Sequence, residues 1–185
     1  MVENKTVKES EILMTELMTP EMANFSGKVH GGTIMSFIDK VAYVCSTKYA
    51  GTGCITAAID KISFLQAGEV GELLTFKAKV IWIGTTSMII KIDIVAVNIK
   101  ENILRETNTC YATMVAIREG KPSKVPKLVC ETPYEARDYL LTDLTKKFTS
   151  MYERELKDKK MEYLNMSDEE ILRLYAKKRD KKNGS

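Results

Sequence analysis

Gly31-Gly32-Thr33-Ile34-Met35-Ser36-Phe37-Ile38-Asp39-Lys40-Val41-Ala42-Tyr43-Val44 is the stretch that decides the fold. It has the length of an ordinary helix and is apolar on nearly every side rather than along one stripe, which predicts a helix enclosed by other structure. Tyr49-Ala50-Gly51-Thr52-Gly53 closes it, with glycine just past the end. Asp39 is the lone carboxylate of the run. Burying an ionised carboxylate costs on the order of several kcal/mol unless it is paired or put to use. Asp39 is therefore a candidate catalytic acid or base held away from water, the alternative being a helix-surface Asp paired with Lys40 or with a residue elsewhere.

Downstream of this helix the apolar period changes to two. Strand patterns run from Cys54 to Leu65, Leu73 to Ile83, Ser87 to Ile99 and Leu104 to Ile117. In the second, Leu74, Phe76, Ala78, Val80 and Trp82 share one face while Thr75, Lys77 and Lys79 share the other, so one face meets a core and the other meets water. The breaks are short enough for antiparallel hairpins: Gln66-Ala67-Gly68-Glu69-Val70-Gly71, then Gly84-Thr85, then Lys100-Glu101-Asn102. Upstream, Glu11 to Thr19 reads as a short strand ended by Pro20, and Asn24 to Gly32 as a glycine-punctuated loop. One buried helix followed by long antiparallel strands predicts an α+β domain, a long curved antiparallel sheet wrapped around a central helix, over residues 1–120. Arg118-Glu119-Gly120-Lys121-Pro122 reads as a polar linker to a C-terminal helical extension over residues 121–185. There Thr132-Pro133-Tyr134-Glu135 is a capping box with proline at the first helical position, Leu141, Leu144, Phe148, Met151, Tyr152 and Leu156 recur at helical spacing, and a second box, Ser167-Asp168-Glu169-Glu170, opens a further helix through Tyr175.

Composition narrows the chemistry. With 185 residues, 44% hydrophobic and 29% charged, most of the chain has the material to fold. Its start lacks an apolar leader and no run reaches the ~20 apolar residues that span a bilayer, so a cytoplasmic protein is expected. Cys45, Cys54, Cys110 and Cys130 are widely spaced and read as free thiols. His30 is the only histidine, so a His-rich metal site is excluded and any triad would run through that one residue. The net charge of +3 sits in the tail, where Lys146 to Lys182 carries twelve Lys/Arg against eight Asp/Glu. Interleaved acids make this a solvated helix face rather than a phosphate-gathering patch, and no stacking aromatics alternate with the bases as nucleic-acid binding requires.

Gly31 and Gly32 leave backbone N–H groups at the positive end of the helix dipole, where they can polarise a carbonyl oxygen; glycines before a helix also serve simply to permit a turn. Together with Asp39 they supply two of the three roles needed for acyl transfer to water. On these residues Asn24-x2-Gly27-x-Val29-His30-Gly31-Gly32-x6-Asp39 resembles the signature of hotdog-fold acyl-CoA thioesterases, the broad-specificity bacterial and cytosolic brain-type hydrolases. The likeness continues through Thr56-Ala57-Ala58-Ile59-Asp60-Lys61-Ile62-Ser63-Phe64, Gly71-Glu72 and Gly84-Thr85-Thr86-Ser87-Met88, covering roughly residues 10 to 120.

The resemblance implies hydrolysis of acyl-CoA to a carboxylic acid and coenzyme A without metal or other cofactor. It implies a homodimer assembling to a homohexamer, a trimer of dimers, with each active site shared by two subunits. Asn24 of one subunit and Asp39 of the other would flank the thioester, Gly31 and Gly32 would face its carbonyl, and Asp39 would activate water or attack directly. Gly84, Thr86 and Ser87 would contact coenzyme A, although Thr85 stands where the family commonly carries arginine, Ala67 replaces a usual proline and Glu72 a usual Asp. His30 is expected to be structural. A non-catalytic acyl-CoA or lipid-sensing module is the rival reading; a hotdog dehydratase lacks its His/acid spacing here. The apolar stripe of the tail is expected to serve assembly.

Overall fold

The computed structural model describes residues 4–60, 62 and 68–182. In chain order these form β1 (Asn4–Thr6), α1 (Val7–Ser10), β2 (Ile12–Leu17), α2 (Gly31–Ala50), β3 (Cys54–Ile59), β4 (Glu72–Ile83), β5 (Ser87–Asn98), β6 (Ile103–Arg118), β7 (Lys121–Pro122), β8 (Lys127–Val129), α3 (Pro133–Leu164) and α4 (Asp168–Lys182). The main sheet is antiparallel with the order β2-β4-β5-β6-β3, and β7 adds a short pairing to β6. The four strands expected after the helix are present, and β4, β5 and β6 form a meander, but β3 pairs with β6 at the far edge rather than with β4, so the hairpin expected between the first two strands is corrected to a crossover; residues 63–67, the end of the first strand and part of the break that follows, lie outside the described residues.

Helix α2 meets all five long strands. Five strands span about 19 Å flat, wider than a helix of ~10 Å, so the sheet has to curl around it. Register shifts at Thr56/Ala58, Val80/Trp82 and Ile94/Val95 add local twist that helps it do so. The core lies between helix and sheet: Ile34, Phe37, Ile38, Val41, Ala42, Cys45 and Tyr49 pack against Phe76, Val80, Ile90, Ile92, Ala112 and Met114. Gly51, at φ 67, ends α2 by donating its N–H to the Thr47 carbonyl, 2.9 Å.

Two segments differ from the sequence reading. Arg118 to Pro122 is not a linker but a tight hairpin, because Glu119 and Gly120 both take positive φ (51 and 74) and turn the chain back so that Lys121 pairs with Arg118. At the N-terminus β1 pairs in parallel with β8, and α1 opens on a capping box between Thr6 and Glu9. Ser10 at the end of α1 is fully buried, and its hydroxyl accepts from the Val80 N–H (2.9 Å) where β4 runs beyond the end of β2.

The chain divides into two compact units, residues 1–142 and 143–185. The first unit runs past the expected boundary near residue 120 because β8 and the first turns of α3 are tied to it. Lys79 and Lys91 both lie over the Tyr134 ring, and Lys91 Nζ donates to the Tyr134 hydroxyl (3.1 Å) and sits 3.5 Å from Asp138. In the second unit the Ser167–Glu170 capping box starts α4, and Lys178 Nζ donates to Tyr163 Oη at 2.9 Å. Among the described residues no helix is long and apolar enough to cross a membrane.

Candidate active site

Helix α2 carries Asp39 on its exposed side, beside the β3 edge of the sheet. The buried positions recur at 34, 37, 38, 41, 42, 45 and 49, and Ser36, Asp39, Lys40, Tyr43 and Val44 lie exposed on the other side. This corrects the expectation that Asp39 is enclosed. The run looks apolar all round because its outward face carries Tyr43 and Val44, 48% and 46% exposed, beside the carboxylate. Among the described residues of the first unit, nothing covers that face.

Asp39 is nonetheless held. Thr56 on β3 donates its hydroxyl to Asp39 Oδ1 at 2.6 Å, and the same Oγ1 lies 3.4 Å from Met114 Sδ. The register shift just after Thr56, where Ala57 is left unpaired, sets this edge strand against the helix. Thr56 was legible in the sequence only as part of a longer similar segment. No motif marks a lone strand threonine, and only the fold brings it across 17 residues to the carboxylate.

At the start of α2 the two glycines are not equivalent. His30 is the N-cap, and its Nδ1 accepts the Gly32 N–H at 3.0 Å, so Gly32 is already occupied and the expectation that both N–H groups are open is corrected to Gly31 alone. A side chain at 32 would meet the His30 ring, its Cβ lying 3.1 Å from Nδ1, which explains the glycine there. The histidine thus has a structural task.

Asn24 organises the loop ahead of this cap. Its Oδ1 accepts from Ser26 N (2.9 Å), Ser26 Oγ (2.7 Å) and Lys28 N (3.2 Å), while its own N–H donates to the Lys28 carbonyl (2.7 Å). With the acceptor spent locally, only the Nδ2 donors remain for a ligand, and they take no partner among the described residues. The structure does not bring Asp39 together with the start of its own helix. Eight residues of helix separate Gly31 from Asp39, about 12 Å along the axis.

Gly84, Thr86 and Ser87 form the β4–β5 hairpin, closed by Gly84 N–H to the Ser87 carbonyl at 2.8 Å. A Cβ at 84 would lie 2.9 Å from Ser87 Oγ and 3.2 Å from the Trp82 ring, so a side chain there would have to turn Ser87 aside. The Thr86 and Ser87 hydroxyls take no partner among the described residues. Across the sheet Ser87 pairs with Val115, which pairs with Ile55, putting the hairpin two strands, about 10 Å, from the edge that carries Thr56.

Two concavities, of about 660 and 360 Å³, lie on the outer face of the sheet around Lys77, Lys91 and Asp93. Neither is lined by Asp39. Burial pushes the thiols of Cys45 and Cys110 up to about 12, so they remain protonated and poorly nucleophilic. Among the described residues no three His, Cys, Asp or Glu side chains converge in a way that would hold a metal ion.

Residues 26–102 match the thioesterase superfamily. Protein VdlD of Helicobacter pylori is 41% identical over 134 residues, 72% of this chain and 77% of that protein. Among solved structures, a hexameric acyl-CoA thioesterase superposes with a TM-score of 0.78 at 29% identity, covering 82% of this chain and 97% of the other. An acyl-CoA hydrolase from Staphylococcus aureus, in complex with butyryl coenzyme A and coenzyme A, superposes at 0.75 and 29% identity over 88% of this chain and 99% of its own. Variants of that hydrolase with an aspartate, an asparagine or a threonine changed to alanine are also similar. With its sheet wrapped around α2 and this degree of identity to its relatives, the chain belongs to the hotdog-fold acyl-CoA thioesterases of the thioesterase superfamily.

Proposed function

We propose that the protein is a cytoplasmic acyl-CoA hydrolase acting as a homodimer, three of which assemble into a hexamer, with each active site built from two copies. The observation that carries the reading is the 2.6 Å bond from Thr56 to Asp39 on a surface that one chain leaves open. β3 is an edge strand with exposed Ile55, beside exposed Tyr43 and Val44 of α2. Such an apolar edge is a template for pairing with another chain. The gap of about 12 Å between Gly31 and Asp39 gives the second copy a chemical task, since one thioester cannot touch both groups of the same helix. The residues changed in the Staphylococcus aureus hydrolase variants have the same sequence separations as Asn24, Asp39 and Thr56 here, and a relative described as hexameric supports the assembly.

In this reading Thr56 holds Oδ1 of Asp39, and the other carboxylate oxygen takes a proton from water as the water oxygen bonds to the thioester carbon. The carbonyl oxygen becomes an oxyanion, met by the Gly31 N–H and the Asn24 Nδ2 donors of the other copy. Collapse breaks the C–S bond, and the coenzyme A thiolate leaves with the proton from Asp39. Gly84, Thr86 and Ser87 contact the coenzyme, and the chemistry calls on no metal or other cofactor.

Thiol release from a panel of acyl-CoAs tests this. Asp39→Ala is expected to lower turnover by about 10²-fold or more in a protein of unchanged mass, general-base action alone being worth ~10²–10⁴-fold. Retention of more than about a tenth of the rate counts against the role of Asp39. Binding of acyl-CoA without hydrolysis by the unmodified protein counts against the enzyme altogether and favours a sensing module.

A further inference from the structure

Phe25 is 113% exposed, beyond every other large apolar side chain described, and it directly follows Asn24. A wholly exposed phenyl ring usually sits on a mobile loop, yet this loop is braced on both sides. Three donors converge on Asn24 Oδ1, Gly27 at φ 77 donates its N–H to the Asn24 carbonyl (3.0 Å), Ala23 bridges to Val29, and Lys28 pairs with Glu69 both through the backbone and through a 2.5 Å ion pair. The fold thus holds the ring out rather than letting it collapse.

We infer that Phe25 is a specificity-determining residue, a wall of the acyl-chain site of the neighbouring copy, selecting acyl groups by length and bulk. The inference rests on the two-copy active site proposed above. Consecutive Cα atoms lie 3.80 Å apart, so where Asn24 approaches the thioester held at Asp39 of the second copy, the backbone of Phe25 comes with it and the exposed ring is within reach of the acyl tail extending from that group. The surface proposed to meet it has an apolar part, with Met35 half-buried and Tyr43, Val44 and Ile55 exposed, beside the exposed polar residues Ser36 and Lys40. Phenyl against such a surface forms a slot for a hydrocarbon chain, whereas Asn24 and Gly31 supply the polar contacts to the carbonyl. The ring therefore discriminates among acyl tails and is not itself a proton carrier.

The test compares the unmodified protein with Phe25→Ala and Phe25→Trp, measuring kcat and KM for acetyl-, butyryl-, hexanoyl- and dodecanoyl-CoA, and mass in solution for each. Opening the slot with alanine should shift the ratio of kcat/KM for dodecanoyl- over acetyl-CoA upward by about tenfold or more, and tryptophan should shift it downward, a pocket methylene being worth ~10–200-fold. Scaling of all four substrates by one common factor overturns the inference, and so does loss of oligomeric mass in the alanine variant, which would make Phe25 an assembly contact. Unchanged ratios overturn it while leaving the hydrolase reading intact. Absence of hydrolysis by the unmodified protein overturns both.

Discussion

Thr56→Val removes one hydroxyl and keeps the β-branched shape, so it isolates the bond to Asp39 Oδ1. At 2.6 Å with a carboxylate acceptor this is a charge-assisted hydrogen bond, worth about 1.5–3 kcal/mol where water is kept out. Loss of that alignment in the transition state corresponds to a fall in kcat of roughly tenfold to a hundredfold, at about 1.4 kcal/mol per factor of ten. Because Thr56 is exposed in the single chain, stability should move by no more than about 0.5 kcal/mol. The contact to Met114 Sδ at 3.4 Å is a weak acceptor interaction and adds little. A continuous thiol-release assay with a urea melt beside it reads both quantities. The effect should fall on kcat rather than KM, since the bond positions the base and does not hold the substrate, and Thr56→Ser should restore most of the rate. A valine variant with more than half the original kcat, or a serine variant no better than valine, would refute the reasoning.

Two further outcomes concern stability. Ser10→Ala should cost about 1–3 kcal/mol, read as a lower urea midpoint at unchanged m-value, because the Val80 N–H now received by Ser10 Oγ at 2.9 Å would be buried without a partner; a midpoint within error of the original would mean another acceptor replaces it. Stability should also fall at alkaline pH. Cys45 and Cys110 titrate near 12 in the fold and near 9 when unfolded, so between those values the folded state binds more protons than the unfolded one. Their contribution is complete below about pH 9 and is lost as pH rises toward 12, by about 1.4 kcal/mol per pH unit for each thiol. Urea unfolding at pH 8 and pH 10.5 measures the slope, and Cys45→Ala should make it shallower, the other buried thiols supplying what remains.

The comparison of sequence with structure turns on which neighbours a residue meets. Period-two alternation from Leu73 onward, the glycine after Ala50 and the capping box at Thr132 each act over a few residues, so β4, the end of α2 and the start of α3 were legible directly. The sequence reading missed α1 and its Thr6–Glu9 capping box, and nothing local announces that β1 would pair with β8 more than a hundred residues away. The Glu119-Gly120 turn reads as a linker until both residues are seen at positive φ.

The candidate site divides along the same line. Local pattern determined that a helix begins at Gly31, carries Asp39 and is too apolar to stand in water, because periodicity and capping depend on residues three or four apart. Only the tertiary structure decided which side of that helix the sheet covers, that Asp39 lies on the exposed side beside β3, that Thr56 reaches it, and that His30 occupies the Gly32 N–H. Hydrophobicity states that a surface must be buried, but it carries no information about what buries it. That choice is made by packing between segments distant in the chain.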